Sequence, residues 1–135
     1  MREILFRGRT IKFREWYEGE LINTTGKIPP YMPMIFQPSE NSDGEVFDVD
    51  PDTVGQYTGL TDDDGRRIFE GDIVSGLFRF GMKKNALVTF KDGAFGLEWY
   101  GGGIAHFDAF TSICNVKYHV LSNVYDNPEL LFKED

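Results

Sequence analysis

The sequence predicts an all-β protein, and three observations carry that reading. Glycine is abundant, at 15 residues, aromatics make up 15% of the chain, and long helical periods are scarce. Short alternating or β-branched runs recur, each closed by Gly, Asp, Asn or Pro. The stretch from Val49 to Val74, VDPDTVGQYTGLTDDDGRRIFEGDIV, is the most patterned and reads as strand, turn, strand, turn, strand.

From the N-terminus, Ile4 to Arg9 reads as a first strand. Glu15 to Ile22 reads as a second, alternating Trp16, Glu18, Glu20 and Ile22 against Tyr17, Gly19 and Leu21. Asn23 to Gly44 holds Gly26, Pro29, Pro30, Pro33 and Pro38, and proline at that density argues against a central strand or a helix. Met34 to Gln37 fits one short edge strand, and the rest fits a long mobile loop. Glu45 to Val49 is the next strand.

Pro51 and Asp52 then enter a turn, because proline presets φ and aspartate bonds its own downstream backbone. Thr53 to Thr58 reads as a strand that Gly59 ends. Thr61 to Gly65, TDDDG, is a polar reversal whose glycine supplies positive φ. Arg66 to Phe69 pairs back, Glu70 to Asp72 turns again, and Ile73-Val74 opens a long strand. That strand runs on to Phe80 with Gly76, Phe78 and Phe80 on one side, and Gly81 to Asn85 reads as a loop.

Ala86 to Phe90 and Ala94 to Trp99 form a hairpin around Asp92-Gly93. A two-residue type I′ turn there pairs Lys91 with Ala94, Phe90 with Phe95, Val88 with Leu97 and Ala86 with Trp99. Val88, Phe90, Phe95, Leu97 and Trp99 then share one buried face, with Lys91, Glu98 and Thr89 pointing away. Gly101 to Gly103 reads as flexible, and Ile104 to Cys114 is ambiguous: Phe107, Phe110 and Ile113–Cys114 sit at roughly helical spacing, which allows a single helical turn. Lys117 to Tyr125 is the last strand, and Asn127-Pro128 reads as a helix start with Asn127 as N-cap. The expected architecture is an N-terminal β-meander with a Pro-rich loop over residues 1–58 and a small β-barrel over residues 59–135.

DPDTVGQYTGL followed by DDDGRRIFEGDIV resembles the signature of the phage- and prophage-associated YopX-like proteins. Phe6-Arg7-Gly8 and WYEGEL from Trp16 resemble the family's first two strands. KDGAF from Lys91 and NVYDNPELL from Asn123 resemble its later strands and tail. The resemblance spans most of the chain. It departs at Arg9 and just after, where an aromatic is usual, and over Asn23 to Gly44 and Tyr100 to Val116. It implies a β-rich protein whose C-terminal barrel is of the Src-homology-3 type, in a phage or prophage setting within a bacterial host. It implies no activity.

Twenty-two acidic residues against 14 Lys and Arg give a net charge of −8, which disfavours tight binding to phosphate backbones. The single cysteine, Cys114, has no internal disulfide partner, and neither a signal-peptide apolar region nor a membrane-length apolar run is present. A cytoplasmic location is expected. Asn23-Thr24-Thr25 is a glycosylation acceptor by pattern alone.

Each candidate site has a plainer reading beside it. Asp62 to Asp64 suggest a calcium loop, but with Gly65 in the sixth place of an EF-hand the first and twelfth places fall on Leu60 and Gly71. Asp48, Asp50 and Asp52 alternate as hard-cation ligands do, yet Pro51 breaks the strand and suits a capped turn. His106, Asp108, Cys114 and His119 lack metal-ligand spacing, and Gly101 to Gly103 lacks the Lys and Ser/Thr of a phosphate loop. No catalytic residue, metal or cofactor is expected.

Arg7, Arg9, Lys12 and Arg14, interleaved with Phe6 and Phe13, are the candidate nucleic-acid contacts. Tyr31, Phe36, Phe78, Phe80, Trp99, Tyr100, Phe107 and Phe110 exceed an obvious core. Of these, Tyr31, Phe36 and Tyr100 are the candidate protein interface. The expected function is therefore a non-catalytic binding or assembly module working through protein contacts, homo-oligomeric ones included. A nucleic-acid-binding barrel is the alternative, and an enzyme is the reading least supported.

Overall fold

A computed structural model describes residues 3–22, 32–40, 42–77, 83–110 and 118–132. Among them the chain forms eleven strands and two 3-10 turns, Pro51–Thr53 and Pro128–Phe132. None of the described residues forms a helix long and apolar enough to cross a membrane. The chain divides into two compact units, Met1–Tyr57 and Thr58–Asp135.

The first unit contains β1 (Phe6–Arg9), β2 (Trp16–Ile22), β3 (Met34–Ser39), β4 (Ser42–Asp48) and the start of β5 (Gly55–Thr61). They lie antiparallel in the order β4-β3-β2-β1-β5. One face buries Ile35, Val49 and Gly8, and Tyr17 stacks on Phe47 with ring centroids 3.7 Å apart. Gly8 is required: a Cβ there would sit 2.6 Å from Val49 Cγ2. After β4, Pro51–Thr53 forms the 3-10 turn, with Asp50 Oδ1 accepting from Asp52 N at 3.0 Å. Buried Thr53 ties this turn to β1, since its Oγ1 accepts from Arg9 N and donates to Asp50 O.

Three expectations need correction here. Strand β3 is not an edge, because β2 and β4 flank it. It tolerates Pro38 because its pairing with β2 involves Met34 to Phe36, and Pro38 lies where the register with β4 shifts between Gln37 and Ser39. Thr53 belongs to the 3-10 turn rather than to the strand. Gly59, at φ 89°, lies within β5 instead of ending it.

The second unit holds the rest of β5 with β6 (Arg67–Phe69), β7 (Asp72–Leu77), β8 (Lys83–Lys91), β9 (Ala94–Gly101), β10 (Ile104–Ala109) and β11 (Tyr118–Asn123). Strands β7 to β11 form a five-stranded antiparallel sheet in the order β10-β9-β8-β7-β11. Its core gathers Ile68, Val74, Ala86, Val88, Leu97 and Tyr118, with Trp99, Phe110 and Val120 packed against it. Asp72 is buried at the entry to β7, where its Oδ2 accepts from Phe69 N at 2.8 Å and closes the turn before the strand.

The expected barrel closure is corrected to an open sheet, since no sheet among the described residues closes on itself. The β8–β10 meander turns on two-residue reversals. Each returns the strand beside its predecessor, so strands are added outward, away from β7 and β11.

The β8–β9 register follows the turn arithmetic. Lys91 pairs with Ala94, Phe90 with Phe95 and Val88 with Leu97, and Asp92 and Gly93 take φ 52° and 82°. The buried face stops short of the turn, however. Val88 and Leu97 are buried, while Phe90 is 52% exposed and packs edge-on against Phe95.

Residues 104–109 are strand, and Lys83 to Asn85 belong to β8 rather than to a loop. Gly101 ends β9, and Gly102-Gly103, at φ 62° and 77°, form a second I′-type reversal. The expected helix start at Asn127-Pro128 is a 3-10 turn, with Leu130 N donating to Asn127 O. Asn23 to Thr25, Tyr31, Phe78, Phe80 and Cys114 lie outside the described residues.

Candidate functional site

In the first unit, the β1–β2 register sets Arg9 opposite Trp16 and Arg7 opposite Glu18. The two guanidinium carbons lie 5.9 and 4.8 Å from the Trp16 ring centre, within cation–π range. Lys12 and Arg14 sit in the connecting turn, where Lys12 Nζ lies 5.3 Å from the Phe13 ring and Arg14 takes φ 54°. Phe13 is 69% exposed.

Pleating puts Arg7, Arg9 and Trp16 on the same face as Glu18, Glu20 and Asp48. A phosphate backbone laid there would meet three carboxylates beside the two guanidinium groups. Phe36 shares this face. The backbone of Gly44 lies against its ring, since a Cβ at Gly44 would come 2.7 Å from Phe36 Cε2.

In the second unit, the TDDDG turn meets β11. Asp62 Oδ1 accepts from Asp64 N at 2.9 Å and from Arg66 N at 2.8 Å, and Oδ2 accepts from Val120 N at 3.0 Å. Burial opposes the Asp62 charge. The backbone donors Val120, Arg66 and Asp64, together with the Arg66 guanidinium, outweigh it and hold the carboxyl below its ordinary range.

His119 Nδ1 lies 3.0 Å from Asp63 Oδ1, 3.3 Å from Asp64 Oδ2 and 4.0 Å from Asp62 Oδ2. One ligand atom from each of these four residues falls within 4.8 Å of the others. The sequence shows each part without the assembly, because 56 residues separate His119 from Asp63.

Hydrogen bonds hold this cluster together: Asp62 closes the turn, and His119 docks on the two exposed carboxylates. A strong chelator is accordingly expected to leave the melting temperature unchanged, since an ion bound only to the folded form would stabilise it by mass action. A chelator-induced drop would establish a resident ion here.

His106 stacks on Trp99, with centroids 4.2 Å apart and planes 16° from parallel, and its Nε2 is 3.3 Å from Gly101 O. Asp108 Oδ2 accepts from Trp99 Nε1 at 3.0 Å. These groups brace the β9–β10 hairpin. His106 on β10 and His119 on β11 occupy opposite edges of the sheet, with three strands between them. The tyrosines Tyr17, Tyr100 and Tyr118 shift upward, away from the range a general base needs. A hydrogen bond to Glu15 raises Tyr17, burial raises Tyr100, and burial followed by Asp108 pushes Tyr118 to about 12.

The strand edges differ in how they are protected. Strand β4 carries Asp43, Glu45 and Asp48. Strand β11 shifts register between Val120 and Ser122, and the TDDDG turn covers it: Asp63 N donates to Tyr118 O, and Arg66 Nη1 donates to Val120 O. Strand β6 has three residues. Strand β10, IAHFDA, pairs only with β9 among the described residues. Its one carboxylate is engaged by Trp99, its first three residues are exposed, and Ile104 is 62% exposed.

The fold defines a class: an all-β protein with two antiparallel sheets. Within that class the chain belongs to the YopX protein family, whose sequence model matches residues 5–132. A crystal structure of protein EF1440 from Enterococcus faecalis is similar, with 22% identity and a TM-score of 0.57. The match covers 97% of this chain and 99% of that one. At that identity the likeness speaks to the fold alone. No curated protein matches the chain.

Proposed function

We propose that this YopX family protein is a non-catalytic binding module in a phage or prophage setting, and that it acts through protein contacts along β10. The observation behind this reading is the β10 edge, which pairs only with β9 among the described residues, set against the charged β4, the covered β11 and the short β6. An extended segment of a protein partner would add to it as a sixth strand. A second copy of the chain is one such partner.

The hairpin geometry supplies the test. In a two-residue I′ hairpin the flanking Gly101–Ile104 pair is hydrogen-bonded, so the backbone groups of Ala105, Phe107 and Ala109 face outward. Ala105→Pro removes an outward N–H and leaves the β9 ladder intact. The wild-type protein, used as bait in extracts of bacteria carrying a related prophage, is expected to retain a partner that the Ala105→Pro variant loses. Light scattering at micromolar concentration identifies the partner as a second copy if the wild type alone is dimeric and the variant monomeric. Equal capture by both proteins removes β10 as the contact. Nucleic-acid titration at low salt checks the rival reading, and saturable binding that persists at physiological salt would replace the protein-contact proposal.

A further inference from the structure

The register of β10 with β9 fixes which of its backbone groups reach the sheet edge. Ile104, His106 and Asp108 bond to β9, and Ala105, Phe107 and Ala109 turn their N–H and C=O groups outward. That outward set is centred on Phe107. A second β10 laid antiparallel, with the two-fold axis at Phe107, therefore pairs every member of it. Phe107 meets its own counterpart, and Ala105 meets Ala109 of the second copy in both directions.

The side chains agree with this register. It sets His106 opposite Asp108 of the second copy, twice, on the face that carries Trp99. These are non-hydrogen-bonded positions, where Cα atoms approach to about 4.5 Å and side chains interact most closely. Moving the axis to His106 sets histidine against histidine and drops Ala109 from the ladder. Moving it to Asp108 sets carboxylate against carboxylate and drops Ala105. The pairing leaves existing contacts in place: His106 keeps its stack on Trp99, and Asp108 keeps its bond to Trp99 Nε1. On the other face the Phe107 ring lies over its own sheet, since a Cβ at Gly96 would come 2.7 Å from Phe107 Cζ, and Lys91 Nζ is 6.0 Å from that ring.

We propose that two copies of the chain join through β10 in the Phe107-centred antiparallel register, making one continuous sheet from two five-stranded ones. This rests on the reading of β10 as the contact strand and names its occupant. The sequence IAHFDA complements itself because its one histidine and its one carboxylate flank the axis.

Cysteine cross-linking of the full chain reads the register. In a Cys114→Ala background, Ala105→Cys and Ala109→Cys are made separately. The proposed pairing sets these two positions opposite each other with Cα atoms about 5.5 Å apart, within disulfide range. Two copies of the same variant keep their cysteines more than about 13 Å apart. Mild oxidation of the mixed variants is expected to give a reducible dimer that neither variant gives alone. His106→Glu in both chains is expected to cut the yield at least about threefold by setting like charges opposite, while His106→Lys preserves it. Melting temperatures matched to the parent show that the variants are folded, and light scattering of the unsubstituted chain at high micromolar concentration is expected to show a dimer. No cross-linking beyond that of the single variants, equal cross-linking by either variant alone, or a strictly monomeric wild type overturns the proposal. A monomer that loses a different protein partner on Ala105→Pro overturns self-pairing and leaves β10 as the contact strand. Capture unchanged by Ala105→Pro, without cross-linking, removes both.

Discussion

Gly19→Ala is expected to cost about 3 kcal/mol or more and to lower the melting temperature by about 10 °C. A Cβ at Gly19 would sit 2.2 Å from Phe36 O, 3.0 Å from Phe36 C and 3.1 Å from Ile35 Cγ2. The nearest obstacle is backbone, which has no rotamer through which to retreat. Relief therefore means parting β2 from β3 at the centre of the first sheet, where Glu20 pairs with Phe36 and Leu21 with Ile35.

Gly59→Ala is the internal control. Nothing lies within 4 Å of a Cβ there, but φ is 89°, so only conformational strain of about 1–2 kcal/mol is expected. Thermal melts of both variants separate the two causes. A Gly19→Ala melting temperature within about 2 °C of the parent would show that the strands are not packed this closely.

Asp62→Asn is expected to cost about 2 kcal/mol or more, because it strands a buried donor. The asparagine carbonyl can still accept from Asp64 N and Arg66 N, but its amide nitrogen faces Val120 N, a donor against a donor. The parent should also carry a pH dependence that the variant lacks. The folded-state pKa of Asp62 lies below the ordinary value of 3.8, so the ionised carboxylate favours the folded form. That contribution is present above the unfolded-state pKa and is lost as pH falls through the folded-state value. Urea denaturation at pH 7 and about pH 2.5 should show the parent losing more stability on acidification than the variant. Parallel losses would mean that Asp62 is already satisfied when protonated.

What could be read from the chain follows from how far apart the interacting residues are. The Asp92-Gly93 reversal sets its own register, so residues on either side of it determine the β8–β9 pairing. Where a rule about local composition met a tertiary exception, it misled. Pro38 suggested an edge, yet the ladder shifts where its missing N–H would have counted. Assemblies from distant segments left no sequence signal. His119 reaches Asp63 only because β11 pairs with β7 beside the TDDDG turn. Lys84, Tyr100 and Phe132 line one cavity only because the 3-10 turn returns to β8, where Asn85 Nδ2 donates to Leu130 O. Arg7 and Arg9 were visible as cations, but their acidic neighbours on the same face depend on the register of β1 to β4.

The β7–β11 pairing also sets the order in which the second unit can be completed during synthesis. Strands β8, β9 and β10 are made between the two partners, so β7 gains its second neighbour only after Asn123 has been added. Until then one side of β7, with Ile73 and Val74, lacks its ladder partner, whereas the β8–β9 and β9–β10 hairpins pair strands that are adjacent in sequence. The last strand thus acts as a latch on the growing chain. A chain ending before Tyr118 would retain both hairpin reversals but lack Tyr118 and Val120 from its core, leaving an edge exposed to other nascent chains.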